Sequence, residues 1–158
     1  MKRLLIFVFI VVNGCSANKT VIEQRKKGDH QQNIKIELSK EENFKFLIKN
    51  SSDQSVYLYQ PSRLVIEKYT DQKWKSIQIL HCPCDAPCQP PQEKFLLKKD
   101  SSYTLRWNKM LSWCGKRKEA MVRETITEPA KKGRYRLVIR LQEEGKVGQT
   151  IYKEFRIK

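Results

Sequence analysis

Residues 33–50 read NIKIELSKEENFKFLIKN, and their apolar side chains fall on alternate positions: Ile34, Ile36 and Leu38, then Phe44, Phe46 and Ile48. Period two is the signature of a strand with one face in a core and the other in water. The alternation continues at Val56 and Leu58, at Phe95 and Leu97, and at Tyr103, Leu105 and Trp107. It weakens at Val122, Glu124 and Ile126, returns at Tyr135, Leu137 and Ile139, and ends at Ile151, Lys153, Phe155 and Ile157. No segment carries a sustained helical stripe.

The breaks between these runs hold turn-forming residues: Asn50-Ser51-Ser52-Asp53, Thr70-Asp71-Gln72-Lys73, Lys98 to Ser102, Pro129 to Gly133 and Glu143 to Gly148. Together the signals predict an all-β domain over residues 33–158. The expected form is an immunoglobulin-like antiparallel β-sandwich of about eight or nine strands.

Upstream of this domain the composition changes. Lys2 and Arg3 precede the apolar run Leu4–Val12, which is too short for a membrane-spanning helix of about 20 residues. It has the length of the apolar region of a secretory signal, and it stops at Asn13-Gly14-Cys15. This end resembles the lipobox of bacterial lipoproteins. The resemblance implies a signal peptide over 1–14 and lipidation of Cys15 with palmitate-like acyl chains, and therefore membrane attachment without a transmembrane helix. Residues 15–32 are polar and aperiodic, and are read as the lipidated cysteine with a flexible tether. The expected address is the cell envelope: the outer membrane facing the periplasm if the host has one, otherwise the exterior of the plasma membrane.

Lysine and arginine total 32 against 17 acidic residues, a formal charge of +15. Removing residues 1–14 with Lys2 and Arg3 lowers it to +13. A surface of this sign attracts anionic glycans, anionic lipid head groups or acidic envelope proteins. Nucleic acid is not an expected partner of an exported chain.

Besides Cys15, the chain has Cys82, Cys84, Cys88 and Cys114, which in an oxidising compartment reads as two disulfides. If 93–97 and 103–107 pair as a hairpin, Cys114 returns beside the Cys82–Pro91 loop. One bond is then expected from Cys114 to the cluster, closing a loop of about 25 to 30 residues and contributing on the order of 3 to 4 kcal/mol. The other would join Cys88 to Cys82 or Cys84, because a Cys82–Cys84 bond closes a strained small ring. The same parity places Lys98, Lys99, Lys131, Lys132 and Arg134 at the opposite end as a basic tip.

Chemistry beyond crosslinking has few candidates. His81, Cys82, Cys84 and Cys88 offer an alternative site for copper or zinc, although their spacing is not that of paired zinc knuckles. There is no Cys-x-x-Cys, no Gly-x-Ser-x-Gly, no His-Glu-x-x-His and no phosphate-cradling glycine loop, so the chain is read as a non-enzyme without a cofactor. Trp74 and Trp107 are read as core or edge packing. Trp113, placed in a loop beside Cys114 and next to Lys116, Arg117 and Lys118, is the candidate anchor for an anionic ligand.

The framework Phe46-x-Ile48-x-Asn50-x-Ser52, Val56-x-Leu58, Leu97 to Trp107 and Gly133-x-Tyr135 resembles the Bacillus-type intracellular proteinase inhibitor domain, an immunoglobulin-like sandwich. Cys82-x-Cys84-x-x-x-Cys88 with Trp107, Cys114 and Gly133-x-Tyr135-Arg136 is similar to Cys-rich secreted bacterial domains. The first resemblance implies proteinase inhibition as an alternative function. The preferred expectation is a lipid-anchored binding or structural module of the cell envelope, with metal binding as a further alternative.

Overall fold

The computed structural model describes residues 33–40, 42–117, 122–142 and 148–158. The expected signal peptide (1–14), Cys15 and the expected tether up to residue 32, together with Lys118, lie outside them. Among the described residues there are eleven strands: β1 Ile34–Lys40, β2 Phe44–Asn50, β3 Val56–Tyr59, β4 Ile66–Thr70, β5 Lys73–Ser76, β6 Lys94–Leu97, β7 Ser102–Trp107, β8 Met110–Cys114, β9 Thr125–Pro129, β10 Gly133–Gln142 and β11 Gln149–Ile157. Every pairing is antiparallel.

The fold is the expected all-β sandwich. One sheet runs β1-β2-β7. In the other, β10 is central: β11 runs along one flank, and β3 and β4 follow each other along the other, with β6 outside β3 and β5 outside β4. The alternation in β2 and β10 puts Phe46, Ile48, Tyr135, Leu137, Ile139 and Leu141 inside, where they are buried. The β8-β9 hairpin is a separate ribbon, held to the segment after β5 by Ser112 N–H donating to Gln78 O (2.9 Å) and by Leu80 N–H donating to Ser112 Oγ (2.7 Å).

At one end of the sandwich the interior is filled by rings. Phe155 lies 5.0 Å from Phe44, 5.4 Å from Phe46, 6.0 Å from Trp107 and 5.9 Å from Tyr135 between centroids. The Tyr135 hydroxyl donates back to Lys131 O (2.5 Å), the tyrosine-corner arrangement of immunoglobulin-like sandwiches, and Trp107 Nε1 donates to Met110 O (2.9 Å). Buried polar tips are thereby satisfied, which is what lets large amphipathic rings sit in a core. Burial also raises the Tyr135 phenol above its ordinary value.

Four expectations are corrected. First, eleven strands form rather than about eight or nine. Segments β4 and β8 lack clean alternation, yet β4 closes a hairpin with β5 through Asp71 and Gln72, both at positive φ (52° and 60°), as a two-residue reversal demands. Second, β9 is shifted to 125–129, leaving Val122 exposed, and Trp113 stands on a strand, opposite Ile126.

Third, β6 and β7 do not form a hairpin. β6 pairs with β3 and β7 with β2, so the link Lys98–Ser101 crosses from one sheet to the other. Buried Asn50 fastens this crossing. Its Nδ2 donates to Leu97 O (3.0 Å) and Gln54 O (2.8 Å), while its backbone bonds Ser101 and Asp100. Fourth, there is no single basic tip. Lys98 and Lys99 stay at the Asn50 end, whereas the β8-β9 ribbon carries the chain back so that Ala130 N–H bonds Lys109 O (2.7 Å). Lys131 and Lys132 thus lie at the Trp107 end, opposite to the first pair.

Candidate functional site

The site arises where a strand is interrupted. β10 is paired by β4 at Tyr135–Leu137 and by β3 at Leu141–Gln142, and between these two stretches residues 60–65 leave the ladder. Gln60 takes a positive φ of 43° and is followed by Pro61, which has no N–H to give to a sheet. Arg63 N–H closes the excursion on Gln60 O (2.9 Å), and Val65 rejoins by accepting from Val138 N–H (3.0 Å). Opposite the excursion, Ile139 and Arg140 have no neighbouring strand on that flank among the described residues.

The gap opens a cleft of about 480 Å³ that reaches the interior between the sheets. Ile48 and Leu105 from one sheet and Leu58 and Ile139 from the other form its floor. Ile77 and Ile79, on the segment after β5, form a wall, and Trp113 and Cys114 stand beside them. Two exposed arginines, Arg63 and Arg140, border the opening, and among the described residues no carboxylate lines it. A second hollow of about 420 Å³ lies across the 79–80 segment; it shares Arg63 and adds Arg106 and His81, again with no carboxylate among the described residues.

Disulfides pin this region. Cys84 bonds Cys114 (Cα–Cα 5.6 Å) and Cys82 bonds Cys88 (Cα–Cα 6.2 Å). This is one of the two connectivities left open by the sequence, although the chain reaches it by way of β8 rather than a β6-β7 hairpin. Cys84 is buried and its N–H donates to Thr125 Oγ1 (2.9 Å), tying the cysteine loop to β9 as well as to β8. Paired in this way, none of the four sulfurs is a thiolate, the form in which cysteine ligates a soft metal. His81 stands exposed at the second hollow.

Next to the bridge, Asp85 sits at φ 54° and accepts from the Arg123 backbone N–H (2.9 Å), from Nε (3.0 Å) and from Nη2 (2.6 Å). The Arg123 side-chain hydrogen bonds, then its backbone N–H, hold the Asp85 carboxyl down at about 2, with the Arg117 charge adding to the effect. The same pairing raises Arg123.

The expected cluster of Trp113, Lys116 and Arg117 is therefore divided. Trp113 lines the cleft, whereas Lys116 and Arg117 are exposed beyond β8 and outside the cleft lining. Trp107 is core. Trp74 packs on the outer face under Arg136 (4.4 Å) and Arg134 (5.4 Å), which are themselves paired with Glu67 and Glu154.

Sequence reading missed Arg63 and Arg140, because an exposed arginine carries no mark of what it borders. The one available signal was Gln60-Pro61, a strand-breaking pair directly after the short run Val56–Tyr59. No family model, no curated protein and no solved structure matches the chain.

Proposed function

We propose that this protein is a binding module of the bacterial cell envelope, held to a membrane by acyl groups on Cys15 and taking a small ligand in the cleft at the interrupted strand. The observation that carries the reading is the cleft itself. Its size falls in the range of small-molecule sites, and it joins an aliphatic floor to a set of polar side chains, as such sites do. It is also built to keep its shape. The Cys84–Cys114 bond fixes one wall, and the β8-β9 ribbon is hydrogen-bonded to the 77–80 segment beside it. A pre-formed site loses less entropy on binding than one that must order itself.

The lipid anchor is supported by the charge, run length and ending of residues 2–15. The paired cysteines agree with an oxidising compartment.

The test is to grow cells on labelled palmitate, isolate the chain from membranes, and weigh it by native mass spectrometry. Label on the natural chain, its loss in Cys15→Ser, and a small molecule held stoichiometrically are the expected results. An unlabelled, soluble, ligand-free protein with reduced cysteines contradicts the reading.

A further inference from the structure

We infer that the cleft takes a single-chain anionic amphiphile: a linear acyl chain on the aliphatic floor with a carboxylate or phosphate head at Arg63 and Arg140. The inference rests on the reading of the cleft as the ligand site and names the class of ligand.

The floor decides the body of the ligand. Ile48, Leu58, Leu105 and Ile139 present only hydrocarbon. An apolar cavity of about 150 Å³ holds one benzene. The cleft, about 480 Å³, is roughly three times that, space for a chain on the order of a dozen carbons.

The rim decides the head. Arg123, Arg134 and Arg136 each hold a carboxylate of the chain. Among the described residues, Arg63 and Arg140 make no ion pair and no Asp or Glu lines the cleft or the hollow beside it. Unpaired guanidiniums around a carboxylate-free opening are complementary to an anion, and a forked donor suits carboxylate or phosphate oxygens.

A peptide added as an extra strand fits less well, because the backbone along the wall is already used. Ile77 N–H bonds Ile66 O (3.0 Å), Gln78 O accepts from Ser112, and Leu80 N–H bonds Ser112 Oγ. The rim also lacks the carboxylates and amides that bind sugar hydroxyls in pairs, apart from Gln60 and Gln78.

Isothermal titration of the full chain bearing Cys15→Ser, which keeps its own acyl groups out of the experiment, distinguishes the outcomes. Dodecanoate and dodecyl phosphate are expected to bind one to one, and dodecanol and butyrate at least about tenfold more weakly. Replacing both rim arginines (R63Q with R140Q) is expected to weaken dodecanoate by about tenfold and to flatten its salt dependence, while R156Q leaves it unchanged. These rim residues are exposed, so the variants keep the fold.

Dodecanol binding as tightly as dodecanoate, or R156Q acting like the rim variants, would overturn the ligand class. So would the absence of binding by every probe while the chain from native membranes still carries another molecule; in each case the cleft remains a ligand site. No probe bound and no molecule retained would defeat both readings.

Discussion

The two ends of the sandwich interior are made by the same pair of sheets, yet one is filled with rings, with a hollow against Trp107 beside it, and the other is entered by a cleft between the sheets. At the first, β10 runs beside β4 without a break and Phe44, Phe46, Trp107, Tyr135 and Phe155 fill the space between the sheets. At the second, the neighbour of β10 is interrupted for residues 60–65, the inner residues are the aliphatics Ile48, Leu58, Leu105 and Ile139, and a cleft enters. On the proposed reading, stability and binding fall to different stretches of one core. Packing carries the first end; a disulfide and a hydrogen-bonded ribbon hold the shape of the second, where packing is incomplete.

The contrast breaks most severely through the aromatic end. Trp107→Ala is expected to cost about 3 to 5 kcal/mol in urea unfolding, since it empties a filled core and strands the Met110 carbonyl. Leu58→Ala, at the edge of space that is already open, should cost about 2 kcal/mol. Equal losses would mean that the two ends are packed alike.

The two disulfides sharpen the comparison. Replacing Cys84 and Cys114 by serine removes a crosslink spanning 30 residues. The expected cost is about 3 to 4 kcal/mol, together with loss of binding in the cleft. Replacing Cys82 and Cys88, 6 residues apart in a loop whose Cys88 is exposed, should cost about 2 kcal/mol and leave binding in place. Thermal unfolding with a binding assay on both variants checks the order.

The smallest expected effect is that of pH on the Asp85–Arg123 clamp. The carboxyl titrates at about 2 in the folded chain, against an ordinary value of 3.8. Between those values the unfolded state holds more protons, so the contribution of the clamp is complete above pH 3.8 and is lost as pH falls through 2. Because the pair is exposed, the effect is modest and salt-sensitive. It should appear as a loss of amide protection at Arg123, measured against its intrinsic exchange rate at each pH, over that window, with the aromatic end unchanged.

What could be read beforehand follows from how local each signal is. The strands β1, β2, β7, β10 and β11 were legible because alternation is written residue by residue, and the Asp71-Gln72 turn because it needs only its own two backbones. Partner choice is not local. Phe95 and Leu97 look like one arm of a hairpin with Tyr103 to Trp107, yet each strand finds its ladder in a different sheet, through a crossing fastened by Asn50. Strand β8 was missed because all five of its residues are half-buried on a ribbon that belongs to neither sheet, so no face alternates. Even number and ring strain narrowed the cysteine pairing to two connectivities but could not choose between them; the structure takes Cys82–Cys88 with Cys84–Cys114. The cleft was not, because it depends on β3 and β4 sharing one flank of β10, a relation between residues as distant as Glu67 and Arg136.

An open end beside a filled one can be tested with a probe that has no head group and no shape preference. Xenon enters apolar space that is accessible and large enough, and shifts the methyl resonances around it. Under xenon pressure the methyls of Ile48, Leu58, Leu105 and Ile139 should move while those of Leu38 and Ile157, beside the aromatic end, stay fixed. Uniform small shifts, or none at the four floor residues, would contradict the account.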